Sequence, residues 1–226
     1  MLAPIVIFDL DGTLVDTAPD LVDTLNLILG REGLAPFAFE EARSMIGGGV
    51  RAMIERGLRD RAKPLQPGEL DRLFDDFIEY YSTHIADRSR PFSGLETALN
   101  QLAENGCHLA VCTNKFEWLS RRLLDALELS KRFSAICGQD TFGVKKPDPK
   151  VLWQTIEKAG GDRHRAVMVG DSAIDITLAR AANVPVIAVD FGYTNVPVAT
   201  LRPDRVVDHF SRLPDAALEL LSRRAP

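Results

Sequence analysis

Ile5-Val6-Ile7-Phe8-Asp9-Leu10-Asp11-Gly12-Thr13 opens the chain's first apolar run and ends it on two carboxylates one residue apart. An unbroken apolar run reads as a strand buried on both faces, the habit of a parallel sheet covered by helices. Similar runs lie at Leu109 to Thr113, Ala166 to Gly170 and Val186 to Val189, with shorter ones at Ala135-Ile136-Cys137 and Val206-Val207. Between them stand segments of helical period: Leu95 to Asn105 before Gly106, Trp118 to Leu127, Lys150 to Ala159 before Gly160-Gly161, and Ile174 to Ala182. Glycine just past a last turn is a helix stop. The alternation predicts an α/β fold with a doubly wound parallel sheet, its strand runs starting at Ile5 and including Ile5 to Leu10.

One stretch breaks the alternation. From Ala18 to Ile85 there are helical patterns and no convincing strand, so a helical unit is inserted into the α/β core. Leu21, Val22, Leu25, Ile28 and Leu29 recur at helical spacing, as do Leu70, Leu73, Phe74, Phe77, Ile78 and Tyr81. Helices packing on one another account for these faces. The expected division is a core of residues 1–17 and 88–226 and an inserted unit of residues 18–87.

The bulk numbers are those of an ordinary globular protein: 226 residues, 46% hydrophobic, 26% charged and a formal net charge of −5. The apolar runs are too short to span a bilayer, and the N-terminus shows no secretory signal pattern, which predicts a soluble, cytoplasmic protein without membrane contact. An acidic balance gives no general attraction to nucleic acid, whose binding rests on clustered lysine and arginine. Cys107, Cys112 and Cys137 are odd in number and widely spaced, so they read as buried thiols rather than a disulfide or zinc framework. Nothing in the pattern sets the oligomeric state.

Four polar groups follow apolar runs or open the helices after them. Asp9 and Asp11 end the first strand, at the sheet edge where open α/β folds bind ligands, and Gly12 permits the sharp turn that lets both carboxylates face one pocket. Thr113-Asn114-Lys115 ends the second run with a hydroxyl, an amide and backbone N–H groups, donors for an anion, although a polar helix cap has the same composition. Lys145-Lys146-Pro147-Asp148-Pro149 holds a lysine in extended geometry before a proline, with one of the pair serving the site and the other solvated. Asp171 follows Val169-Gly170, and Asp175 lies one helical turn further on, a spacing that turns two carboxylates toward one spot suited to a hard cation such as Mg²⁺. Carboxylates, hydroxyl, amide and lysine together suit phosphoryl transfer, in which a protein positions an in-line nucleophile and neutralises phosphoryl charge.

These four motifs, in this order, resemble those of the haloacid-dehalogenase superfamily along the whole chain. The resemblance implies a Rossmann-like core with a small α-helical cap joined through two hinges. It implies Asp9 as a nucleophile forming an aspartyl phosphate, Asp11 as general acid then base, and Thr113 and the Asn114 amide as phosphate donors. Lys146, directly before proline, becomes the charge-neutralising lysine, with Lys145 as the alternative. Mg²⁺ falls to the Asp9 carboxylate, the Asp11 backbone carbonyl and Asp171, with Asp175 assisting. Asp11 separates the chain from dehalogenases, which lack the second aspartate, and from phosphonatases, which carry a small residue there.

Within the superfamily, the length, the cap position, Asp16-Thr17-Ala18-Pro19-Asp20 and the run Ile46-Gly47-Gly48-Gly49-Val50-Arg51 resemble bacterial phosphoglycolate phosphatases. That resemblance implies a small phosphorylated metabolite as substrate, with Gly47, Gly48 and Arg51 reaching its second anionic group. The glycine run reads equally as a flexible helix–helix turn. A β-phosphoglucomutase-like mutase, and a pyrophosphatase or nucleotidase of the same superfamily, are the alternatives. Intact acidic and lysine motifs argue against a non-catalytic binding protein.

Overall fold

The computed structural model of the protein describes residues 2–194 and 196–223. In chain order the elements are β1 (Ala3–Phe8), β2 (Val15–Asp16), α1 (Ala18–Arg31), α2 (Phe39–Arg43), α3 (Val50–Asp60), α4 (Glu69–Thr83), β3 (Arg90–Pro91), α5 (Leu95–Glu104), β4 (His108–Cys112) and α6 (Glu117–Ala126). They continue with β5 (Ala135–Cys137), α7 (Pro149–Lys158), β6 (Gly161–Gly170), α8 (Ala173–Ala181), β7 (Val186–Val189), β8 (Arg205–Val207) and α9 (Leu213–Ser222).

Six strands form one sheet in the order β5-β4-β1-β6-β7-β8, and every neighbouring pair is parallel. The chain winds outward from β1 through β4 to β5, then crosses back to β6 and winds the other way. The reversal beside β1 is the topological switch point at which such sheets bind ligands. Successive side chains of a strand point to opposite faces, and β1 obeys this: Val6 and Phe8 pack into one apolar cluster, Ile5 and Ile7 into the other. Residues of α5, α6 and α9 cover the first face, and α7 and α8 the second. The unbroken apolarity of β1 is therefore the mark of burial on both faces. All three cysteines are buried free thiols, and burial pushes the Cys112 thiol up to about 12.

The helices α1 to α4 leave and re-enter the core through a short antiparallel pair, Val15 opposite Pro91 and Asp16 opposite Arg90. Leu21, Val22, Leu25, Ile28 and Leu29 are buried along α1, and Leu73, Phe77 and Tyr81 along α4. Leu70, Phe74 and Ile78 flank them, partly buried. Among the described residues no helix is long and apolar enough to cross a membrane.

Three features depart from the periodicity reading. The helix stop at Gly160, at φ +69°, stands, but β6 begins at once at Gly161 rather than at the apolar run from Ala166: its first half, Asp162-Arg163-His164-Arg165, is polar and pairs irregularly, with Ala3 facing Gly161 and Ile5 already facing Ala166. The pair β2–β3 is too short to leave a pattern. The helix α9 closes the sheet face over β6, beyond the helical segments that the periodicity predicts.

Two buried polar anchors fix the crossing between the sheet and the inserted helices. Asp20, 4% exposed, accepts hydrogen bonds from the backbone N–H of Ser89 at 2.8 Å, the Ser89 hydroxyl at 2.6 Å and the Arg88 N–H at 3.0 Å. The outgoing helix is thereby tied to the returning strand. On the core side, the Tyr193 hydroxyl accepts from the N–H groups of Thr17 at 2.7 Å and Ala18 at 2.9 Å and donates to Asp16 Oδ1 at 2.8 Å. Truncating a buried acceptor costs about 1–3 kcal/mol for each donor left without a partner, and of the donors here those of the buried Ser89 are the ones water cannot reach. Asp20→Ala is expected to cost roughly 3 kcal/mol in all, lowering the midpoint of thermal unfolding by about 6–12 °C in calorimetry. A shift below about 2 °C would show the anchor to be dispensable.

Candidate active site

The strand ends converge as the parallel sheet dictates. Asp9 follows β1, Thr113 follows β4 and Asp171 follows β6, all at the carboxyl edge beside the switch point. Asp9 continues the ladder by one rung, its N–H donating to Val169 O at 2.9 Å, and Thr113 does the same toward Cys137 O at 3.0 Å. Their side chains are thus held by sheet hydrogen bonds rather than by loop conformation. Gly12, at φ +81°, turns the chain away; a Cβ there would lie 2.7 Å from Asp171 Oδ2.

Lys146 sits at the centre, its ammonium 2.8 Å from Asp9 Oδ1 and 2.7 Å from Asp175 Oδ1. Lys145 is exposed. Asn114 explains the placement: its Oδ1 accepts from Lys146 N–H at 3.0 Å and its Nδ2 donates to Lys146 O at 3.3 Å. The Asn114 side chain is thus engaged with the Lys146 backbone through its Oδ1 and one Nδ2 hydrogen, which leaves the backbone N–H and the second Nδ2 hydrogen for an anion. The Thr113 hydroxyl accepts from Lys115 N–H at 3.2 Å and keeps its own proton for a ligand.

Asp9, Asp171 and Asp175 are all buried, each offering a carboxylate oxygen within 4.8 Å of the others. Asp175 is the most fully engaged, taking Lys146 on one oxygen and the Ser172 N–H and hydroxyl on the other. Asp171 accepts from Tyr193 N–H at 2.7 Å and Thr13 Oγ1 at 3.2 Å. Asp9 Oδ1 takes the Leu10 N–H at 2.7 Å, and no described residue donates to its Oδ2. Burial pushes the Asp9 carboxyl up to about 6, despite the pull of Lys146, with repulsion from Asp175 adding to it. Burial first, then repulsion from Asp175 and Asp9, push Asp171 up to about 8. Burial opposes the charge on Lys146, yet Asp175 and Asp9 hold it above the ordinary lysine value. A single cation thus faces three carboxylates, and the surplus negative charge with hard oxygen donors fits a divalent ion of the Mg²⁺ type.

The Asp11 carboxylate stands apart from this cluster. Thr17 Oγ1 donates to its Oδ1 at 2.8 Å, and Lys115 Nζ reaches both oxygens, at 3.0 and 3.2 Å, while donating to the Tyr81 hydroxyl at 2.9 Å. Burial works against the Lys115 charge, but Asp11 and Tyr81 keep its pKa above the usual range. Lys115 and Tyr81 went unassigned in the sequence; the only signal was that Lys115 sits beside Thr113 and Asn114.

Asp9 and Asp11 open onto a cleft roofed by the inserted helices, lined there by Ile46, Gly47, Gly49, Val50 and Tyr81. Gly47 belongs to it; Gly48 does not, and a Cβ there would meet Ala52 at 3.2 Å. The expectation for Arg51 also needs correcting. On α3, Val50 and Met53 line the cleft, and Arg51 is rotated off that face, bonded to Asp71 Oδ1 at 2.6 Å and stacked on Phe74 at 4.3 Å.

Residues 6–189 match the family of haloacid dehalogenase-like hydrolases, and the chain belongs to that family. It is similar over its full length to the phosphoglycolate phosphatase of Mesorhizobium japonicum, 48% identical over 227 residues that cover 100% of this chain and 99% of that one. The phosphoglycolate phosphatase of Agrobacterium fabrum is 47% identical, covering 97% of this chain and 94% of its own. Among solved structures, that of a predicted phosphoglycolate phosphatase from Haemophilus somnus superposes with a TM-score of 0.88 at 28% identity, covering 95% of this chain and 97% of that one.

Asp9 and Asp171 favour the neutral form when folded, so their contribution to stability is complete below the unfolded carboxylate range and is lost as pH rises through about 6 and then about 8. Without divalent ions, the unfolding temperature is expected to fall between pH 5 and 9, and millimolar Mg²⁺ to flatten that slope. A slope in chelator that Mg²⁺ leaves unchanged would contradict a cation site at these carboxylates.

Proposed function

We propose that the protein is a Mg²⁺-dependent phosphatase that hydrolyses 2-phosphoglycolate to glycolate and inorganic phosphate through an aspartyl phosphate on Asp9. Residues 1–17 and 88–226 act as the catalytic core, and residues 18–87 as the cap. The observation that carries this reading is the pairing of two differently held carboxylates. Asp9 presents an oxygen free of donors beside the Lys146 ammonium, and Asp11 stands one residue away in the cleft, outside the acidic cluster. The full-length likeness to phosphoglycolate phosphatases supports the choice of substrate.

In the first half-reaction an Asp9 oxygen attacks phosphorus, the ester P–O bond breaks, and a proton from Asp11 passes to the departing oxygen, releasing glycolate. In the second, Asp11 takes a proton from water as the water oxygen attacks phosphorus. The bond to Asp9 breaks, the carboxylate is restored and phosphate leaves. Thr113 Oγ1 and the N–H of Asn114 hold phosphoryl oxygens, and Lys146, fixed by Asn114 and Asp175, balances charge on nucleophile and phosphoryl group. Asp9, the Asp11 backbone carbonyl and Asp171, with Asp175 in support, would hold Mg²⁺, which would supply the charge screening that lets an anionic carboxylate meet an anionic ester.

Phosphate release is to be measured on a panel of small phosphomonoesters with and without Mg²⁺, for the native protein and Asp9→Asn. The expected result is the highest kcat/KM on 2-phosphoglycolate, no turnover in chelator, and a loss of at least about 10⁴-fold in the variant. Turnover surviving in Asp9→Asn would exclude the aspartyl phosphate, while Mg²⁺- and Asp9-dependent turnover that peaks on another ester would retain the chemistry and discard the substrate.

A further inference from the structure

The cleft over Asp9 and Asp11 is unequal in character. Leu21, Ile46, Val50, Met53, Phe116 and Leu119 make much of its wall apolar, and Lys115 is the one cationic side chain among the described residues that line it. Arg51, the cation expected there, lies outside the cleft lining, paired with Asp71 and packed on Phe74. A small substrate whose second group is anionic therefore meets a single positive charge.

The position of that charge is specific. A protonated lysine has three donors. One is shared by the two Asp11 oxygens and a second goes to the Tyr81 hydroxyl, leaving a third that no described residue takes. Asp11 is the group that protonates the ester oxygen in the mechanism above, and Lys115 Nζ lies 3.0 Å from Asp11 Oδ1. A carboxylate on the carbon bearing that ester oxygen is only two bonds from it. That short span brings it within reach of an ammonium held against Asp11. Burial strengthens such a contact, since the Lys115 side chain is only 6% exposed and little water competes.

Resting on the reading of the site as a phosphatase, we infer that Lys115 is its specificity-determining residue: its ammonium receives the substrate carboxylate and selects short phosphomonoesters that carry a carboxylate on the carbon next to the ester oxygen. Tyr81 positions the ammonium from α4, so the recognising charge is shared between the core, which supplies the lysine, and the inserted helices, which aim it.

The test compares 2-phosphoglycolate with ethyl phosphate, in which a methyl group replaces the carboxylate, by kcat/KM for the native protein, Lys115→Met, Lys115→Arg and Tyr81→Phe. The native protein is expected to prefer 2-phosphoglycolate, and Lys115→Met to lose about 10²-fold more on it than on ethyl phosphate, the scale of removing one partner of a buried charge pair. Lys115→Arg retains most of the preference. Tyr81→Phe, which keeps the ring packing, raises KM for 2-phosphoglycolate several-fold with a smaller change on ethyl phosphate, and it carries the test if Lys115→Met does not fold. Equal losses on both esters in Lys115→Met and Tyr81→Phe would overturn the inference, assigning Lys115 to the orientation of Asp11 alone. A native protein that turns over both esters alike would overturn the substrate reading and this inference with it, while leaving the aspartyl-phosphate chemistry to the Asp9→Asn comparison.

Discussion

The ammonium of Lys146, buried between Asp9 and Asp175, is the interaction on which the site depends. Parallel strands bring Asp9 and Asp171 to neighbouring positions at one sheet edge, and the first turn of α8 adds Asp175. In a buried setting three carboxylates this close repel one another and lose hydration, which would drive them neutral or apart. One lysine with both partners within hydrogen-bond range holds the cluster together, and its backbone is fixed in turn by the side chain of Asn114. The loop after β4 and the loop before α7 therefore act as one unit, although 32 positions separate Asn114 from Lys146.

A second buried lysine repeats the device one layer out. Lys115 ties Asp11 to Tyr81 and so joins the core to the inserted helices at the mouth of the cleft. Other ties run beside it: Arg43 donates to the carbonyls of Phe191 and Gly192, at 3.2 and 2.8 Å, and its guanidinium lies 5.2 Å from the Tyr193 ring centroid. Close approach by the 191–193 loop needs a residue without a side chain, since a Cβ on Gly192 would come 2.2 Å from Asp171 Cβ. The same loop supplies the N–H that fixes Asp171 and the hydroxyl bonded to Asp16 where the chain leaves for the inserted helices. The placement of Asp171 and of that crossing are thus coupled through Tyr193.

Unbroken apolar runs, helical periods and the carboxylates, lysine and hydroxyl following the strands were legible in the sequence because each rests on neighbours within a few residues. The parallel sheet, the helical insertion and the convergence of Asp9, Thr113, Lys146 and Asp171 at one edge follow from such local patterns and from the rule that parallel strands present their carboxyl ends together. β6 shows the limit: its polar first half pairs through a register break that no alternation announces. Asp20 and Tyr193 show another, since a buried polar anchor has no periodicity of its own.

What the sequence by itself determined was which strands end in chemistry and in what order. What only the tertiary structure decided was which partner each side chain takes. Arg51 and Lys115 are both cations near candidate site residues, and nothing local distinguishes them; the rotation of α3 points Arg51 toward Asp71, while the end of β4 delivers Lys115 to Asp11. The reason is physical: periodicity comes from backbone geometry and is written in adjacent residues, whereas the pairing of charges is settled by burial and distance between segments that meet only when the chain has folded.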